Sequence, residues 1–137
     1  MENLRQAIAH LRQEGAENVG VIGWCFGGGW SLRTGLSVPD EVDAVVLYYG
    51  RVTTDPADLE PLTAPLLGIF GAEDGGIPVA TVREFQTSLD SLGKNASIFI
   101  YEGAEHAFAN PSGTRYNKHA AEDAWGKTLN FFAQHLR

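Results

Sequence analysis

The chain has 137 residues, enough for one domain with a real hydrophobic core, and neither disulfides nor a structural metal are needed to hold a fold of this size. Its net charge of −7 is spread along the sequence and no cluster of Lys or Arg stands ready to neutralise phosphates, which argues against a nucleic-acid partner. No apolar run approaches the roughly 18 residues of a membrane span, the first residues lack the apolar core of a secretory signal, and a lone cysteine cannot form an internal disulfide, so a cytoplasmic location is expected.

In chain order, Leu4, Ala7, Ile8 and Leu11 recur at helical spacing and predict a first helix over Glu2–Gln13, with Gly15 as its stop signal. Val19 to Trp24 is a short apolar run of the kind that forms a strand in a parallel sheet, and it leads directly into Cys25 and three glycines. A helix is expected from Gly27 to about Leu36, a buried strand over Val42 to Tyr48, and a third strand over Leu66 to Phe70. Pro78 suits the first turn of a helix whose stripe is Val79, Val82, Phe85, Leu89 and Leu92. Ser97 to Tyr101 is the fourth strand candidate, and a last helix runs from Tyr116 to Leu136. No repeat or linker divides the chain, so residues 1–137 read as a single α/β domain: about four parallel strands, flanked by helices and joined by right-handed crossovers.

In such sheets chemistry gathers on the loops that leave the carboxyl ends of the strands. The first of these, Gly23-Trp24-Cys25-Phe26-Gly27-Gly28, has the strand-turn-helix context of a nucleophile elbow, with small residues two positions either side of a central nucleophile. Glycines at 23 and 27 are expected where side chains would collide with neighbouring backbone. Cys25 would then stand at a helix start, whose dipole favours a thiolate, and the Phe26 N–H would point at a developing oxyanion. Asp74 follows the third strand and His106 the fourth. Taken singly, each has an ordinary reading: an inert buried cysteine, a helix cap, a surface histidine. Together they fall in the order nucleophile, acid, base, which makes Cys25, Asp74 and His106 a candidate triad. His10, His119 and His135 lie within helices at no metal-ligand spacing, and neither a metal nor a cofactor is implied.

Gly-Trp-Cys-Phe-Gly-Gly-Gly at 23–29, Tyr-Tyr-Gly at 48–50, Gly-Ala-Glu-Asp at 71–74 and Gly-Ala-Glu-His-Ala-Phe-Ala-Asn at 103–110 resemble the dienelactone hydrolase (carboxymethylenebutenolidase) family of α/β-hydrolases. The resemblance implies a carboxylic-ester or lactone hydrolase in which Cys25 attacks the ester, His106 transfers protons and Asp74 orients His106. Trp24, Phe108 and Asn110 are the substrate contacts it suggests. Asn110 stands where the dienelactone enzyme has an arginine that grips a carboxylate, which leaves Arg51 and Arg115 as alternatives for that role. The sequence resembles only the C-terminal half of the family; the second oxyanion donor, a glutamate and part of the pocket belong to the other half. A homodimer through the Val19 to Trp24 edge, or a separate chain carrying that other half, is therefore expected to cover the strand. The alternative reading is a non-catalytic half-domain that binds a small molecule or partner chain and retains the triad residues.

Overall fold

A computed structural model describes all residues, 1–137. It contains nine elements: α1 (Glu2–Gln13), β1 (Gly20–Trp24), α2 (Phe26–Ser37), β2 (Ala44–Tyr48), α3 (Pro56–Leu59), β3 (Leu66–Gly71), α4 (Val79–Ser91), β4 (Ala96–Tyr101) and α5 (Lys118–His135). The strands form one sheet in the order β1-β2-β3-β4, every neighbouring pair parallel. This is the α/β architecture expected from the alternation of periods.

Because successive side chains of a strand point to opposite faces, the two central strands each feed two cores. Val45, Leu47, Leu66 and Phe70 pack with Ile8 of α1, Leu32 of α2 and Val82, Phe85 and Leu89 of α4. Val46, Tyr48, Leu67 and Ile69 turn the other way, onto Ala120 and Ala124 of α5. All residues of β2 and β3 are buried, which explains their uninterrupted apolar sequences. On the edge strand β4 exposure alternates, and Lys127 lies over the exposed Phe99 ring at 4.8 Å.

The second core holds one buried polar contact, between the Tyr48 hydroxyl and Thr128 Oγ1 at 2.7 Å, while Thr128 Oγ1 donates onward to the Ala124 carbonyl at 3.0 Å. Thr128→Val keeps the volume but leaves the Tyr48 hydroxyl buried without an acceptor. It is expected to lower stability by about 1–3 kcal/mol in urea denaturation, and an unchanged midpoint would show that the hydroxyl has found another partner.

At the starts of β1, β2 and α5, which differ from the sequence reading, side-chain hydrogen bonds mark the boundary. The Asp43 carboxylate accepts from the Val19 N–H at 2.7 Å and from Arg12 Nη2 at 2.8 Å. This junction occupies the residues that apolar patterning assigned to strand ends, so β1 starts at Gly20 and β2 at Ala44. Asn117 accepts from the Ala120 N–H and so begins α5 at Lys118 rather than Tyr116. The short helix α3 was absent from the sequence reading; it is a single turn with Pro56 first and Asp55 accepting from the Ala57 N–H, too brief for periodicity to mark. No helix is long and apolar enough to cross a membrane.

Candidate active site

The turn from β1 into α2 is sharp. Cys25 has φ 54° and ψ −119°, a conformation L-residues adopt only where surrounding structure imposes it. Two contacts do so: the Cys25 N–H donates to the Tyr48 carbonyl at 3.0 Å, extending the sheet ladder by one residue, and the first turn of α2 folds back over Gly23. A Cβ at Gly23 would sit 2.1 Å from the Gly27 carbonyl oxygen. The expectation for Gly27 needs correcting, because a Cβ there would meet nothing within 4 Å; it is Gly28 that closes against the Tyr48 carbonyl oxygen, at 2.7 Å. As the first residue of α2, Phe26 has an N–H with no acceptor inside the helix.

The loops after β3 and β4 are laced together. A side chain at Gly71 would lie 2.3 Å from the Ala104 carbonyl oxygen, and that oxygen accepts from the Glu73 N–H at 2.9 Å. Asp74 and His106 meet across this seam: His106 Nδ1 lies 2.7 Å from Asp74 Oδ2. The other carboxylate oxygen accepts from the N–H groups of Gly76 and Ile77 at 2.8 and 3.0 Å. Asp74 is thus both a turn cap and the partner of His106, and its side chain is only 1% exposed. Since a carboxylate accepts, Nδ1 donates, and Nε2 is the ring nitrogen left over. Tyr49, with φ 36° and a buried ring, packs edge-on against the imidazole with centroids 5.2 Å apart.

Cys25 and His106 line one cavity of about 620 Å³, whose wall also includes Phe26, Tyr49, Arg33 and Arg51. Burial first, and the Asp74 carboxylate second, push the Cys25 thiol above its ordinary value, against the thiolate-favouring bias expected of a helix start. Both causes disfavour the thiolate at Cys25. No group of three or more His, Cys, Asp or Glu side chains is placed to hold a metal ion.

The residues expected to contact substrate lie apart from this cavity. Phe108 is fully buried, between Tyr49 and Tyr101 in the second core. Trp24 stacks on Tyr48 and lines a separate groove of about 300 Å³ with Tyr116 and Trp125. Asn110 accepts from the Ser112 N–H and so caps its own turn. Arg115 lines neither cavity, whereas Arg51 does line the first. Arg33 and Tyr49 escaped sequence reasoning. Tyr49 stood inside a recognised Tyr-Tyr-Gly motif, and Arg33 lies one helical turn beyond Gly29, a spacing that could have pointed to it.

Comparison with known proteins bears on what this arrangement belongs to. The model of the dienelactone hydrolase family matches residues 1–136. The chain belongs to the dienelactone hydrolase family. Two curated relatives each carry the name "putative carboxymethylenebutenolidase". The one from Saccharolobus solfataricus is 32% identical over 126 residues, spanning 92% of this chain and 48% of its own length. The one from Synechocystis sp. is 36% identical over 130 residues, spanning 88% of this chain and 52% of its own. Among solved structures, the crystal structure of a "putative dienelactone hydrolase" from Klebsiella pneumoniae superposes with a TM-score of 0.89 at 29% identity, over 97% of this chain and 60% of that one. The chain therefore spans about half the length of the curated relatives it matches. Family membership makes it a dienelactone hydrolase-like protein of the α/β-hydrolase fold, with Cys25, Asp74 and His106 on the loops that leave the carboxyl ends of β1, β3 and β4.

Proposed function

We propose that this chain hydrolyses carboxylic esters or lactones through an acyl-thioester on Cys25. The observation that carries the reading is the 2.7 Å contact between His106 and the buried Asp74, opening onto the cavity that Cys25 also lines. Because burial and the Asp74 charge both disfavour a thiolate, the thiol proton leaves as the S–C bond forms. His106 Nε2 receives that proton, and Asp74 holds the imidazole in the tautomer that can do so and stabilises the imidazolium. The carbonyl electron pair moves onto oxygen, where the Phe26 N–H donates to it. Collapse of this intermediate breaks the ester C–O bond, and the leaving alkoxide takes the proton from His106. Water then attacks the thioester with His106 as base, releasing the carboxylic acid and returning the proton to Cys25. With a lactone the alcohol and acid remain in one product.

The test is turnover of an activated aryl ester by the parent protein, Cys25→Ala and His106→Ala, with mass spectrometry of the parent during turnover. Loss of about 10⁴-fold in both variants, with an acyl adduct on Cys25 of the parent, is expected. Equal rates in all three proteins would instead favour a domain that binds small molecules or a partner without reacting.

A further inference from the structure

The cavity wall carries two cations without counter-ions. Arg33 and Arg51 both line it, and neither forms an ion pair, although Asp and Glu outnumber Lys and Arg by 17 to 10 in this chain. The fold brings the Arg51 backbone onto the helix that carries Arg33. A Cβ at Gly29 would lie 3.3 Å from the Arg51 carbonyl oxygen and 3.5 Å from its nitrogen, so the Arg51 backbone rides directly over Gly29 of α2. Arg33 is one helical turn further along the same face, its guanidinium resting on the Trp30 ring at 4.9 Å. None of the residues lining the cavity is acidic, and the Asp74 side chain is closed off beneath His106.

We propose, resting on the hydrolase reading above, that the substrate is an ester or lactone bearing a phosphate monoester or equivalent dianion, which Arg33 and Arg51 bind together. One carboxylate can accept from both guanidiniums but brings a single negative charge to two positive ones. A phosphate presents three terminal oxygens and two negative charges, enough for both forks. Trp30 adds an apolar wall for the carbon chain between the phosphate and the reacting carbonyl.

The experiment compares three p-nitrophenyl esters of one chain length: the neutral hexanoate, the mono-adipate, and the ester of ω-phosphooxyhexanoic acid. Alongside turnover, calorimetry follows the binding of hexyl phosphate to parent, Arg33→Gln, Arg51→Gln and the double variant. The expected kcat/KM order is phosphate above adipate above hexanoate, with about tenfold between the extremes. Each single variant compresses the phosphate-to-hexanoate ratio, the double variant abolishes it, and hexyl phosphate affinity falls about tenfold with either arginine removed. Cys25-dependent hydrolysis with no preference for phosphate, or with a preference that survives in the double variant, overturns this proposal and leaves the hydrolase reading standing. Arginine-dependent binding of hexyl phosphate without turnover of any ester sustains the anion site and overturns the hydrolase reading. An adipate turned over as well as the phosphate ester overturns the dianion assignment.

Discussion

Asp74→Asn should lower ester turnover by about 10⁴-fold and at the same time make Cys25 easier to alkylate. The two effects have opposite signs because the carboxylate acts on two groups. It orients His106 through the 2.7 Å hydrogen bond, and its loss leaves the imidazole without the partner that fixes its tautomer. It also helps to keep the Cys25 thiol protonated, since its charge opposes a thiolate beside it. With that charge removed, burial alone holds the thiol up, and a larger thiolate fraction is present at any given pH. The readout is the rate of iodoacetamide modification against pH, free of interference because Cys25 is the only cysteine. In the parent the rate should rise about tenfold per pH unit and still be climbing at pH 9.0, the ordinary value of the group. In Asp74→Asn the whole curve should move to lower pH. A parent curve that levels off near neutrality would mean a preformed thiolate and would remove the case for proton transfer concerted with attack.

Two glycines of the same turn should respond in opposite directions. Gly23→Ala places a methyl group 2.1 Å from the Gly27 carbonyl oxygen and 2.3 Å from its carbon, and both are backbone atoms inside α2, so the helix has to move. A loss of about 3 kcal/mol is expected, with the position of Cys25 disturbed as well. Gly27→Ala meets open space at a helical position and is expected to stabilise by roughly 0.5–1 kcal/mol. Urea denaturation of both variants decides the matter: comparable losses at the two positions would show that the turn is not built as described.

The contrast between these glycines illustrates what the sequence could and could not disclose. Strand-turn-helix context and the order of Cys25, Asp74 and His106 were legible, since both follow from hydrophobic period and from loop position along the chain. Helices α1 and α4 were legible as well, as their stripes at Leu4, Ile8 and Leu11 and at Val82, Phe85 and Leu89 are long enough to show a period. Contacts between strands distant in sequence were not. Whether Gly23 or Gly27 was the crowded one depended on the path of α2 relative to β1. Phe108, adjacent to the histidine loop in sequence, turned into the core because α5 and β3 close over it, while Tyr49, far from His106 along the chain, became its packing partner. Arg33 offered only its spacing from Gly29, and what gives that spacing meaning, the passage of Arg51 over Gly29, is a contact distant in sequence.

The junction of Arg12, Asp43 and Val19 has a meaning beyond the boundaries it sets. It ties α1 to the amino ends of β1 and β2, while Cys25, Asp74 and His106 lie beyond the opposite ends of the strands. The fold therefore has an anchoring pole and a pole that carries the candidate triad, separated by the length of a buried strand. Changes at poles this far apart, sharing no partners, combine with little cross-talk. Substitutions in the loops around Cys25 and His106 are therefore expected to leave the stability contributed at the Arg12–Asp43 end unchanged.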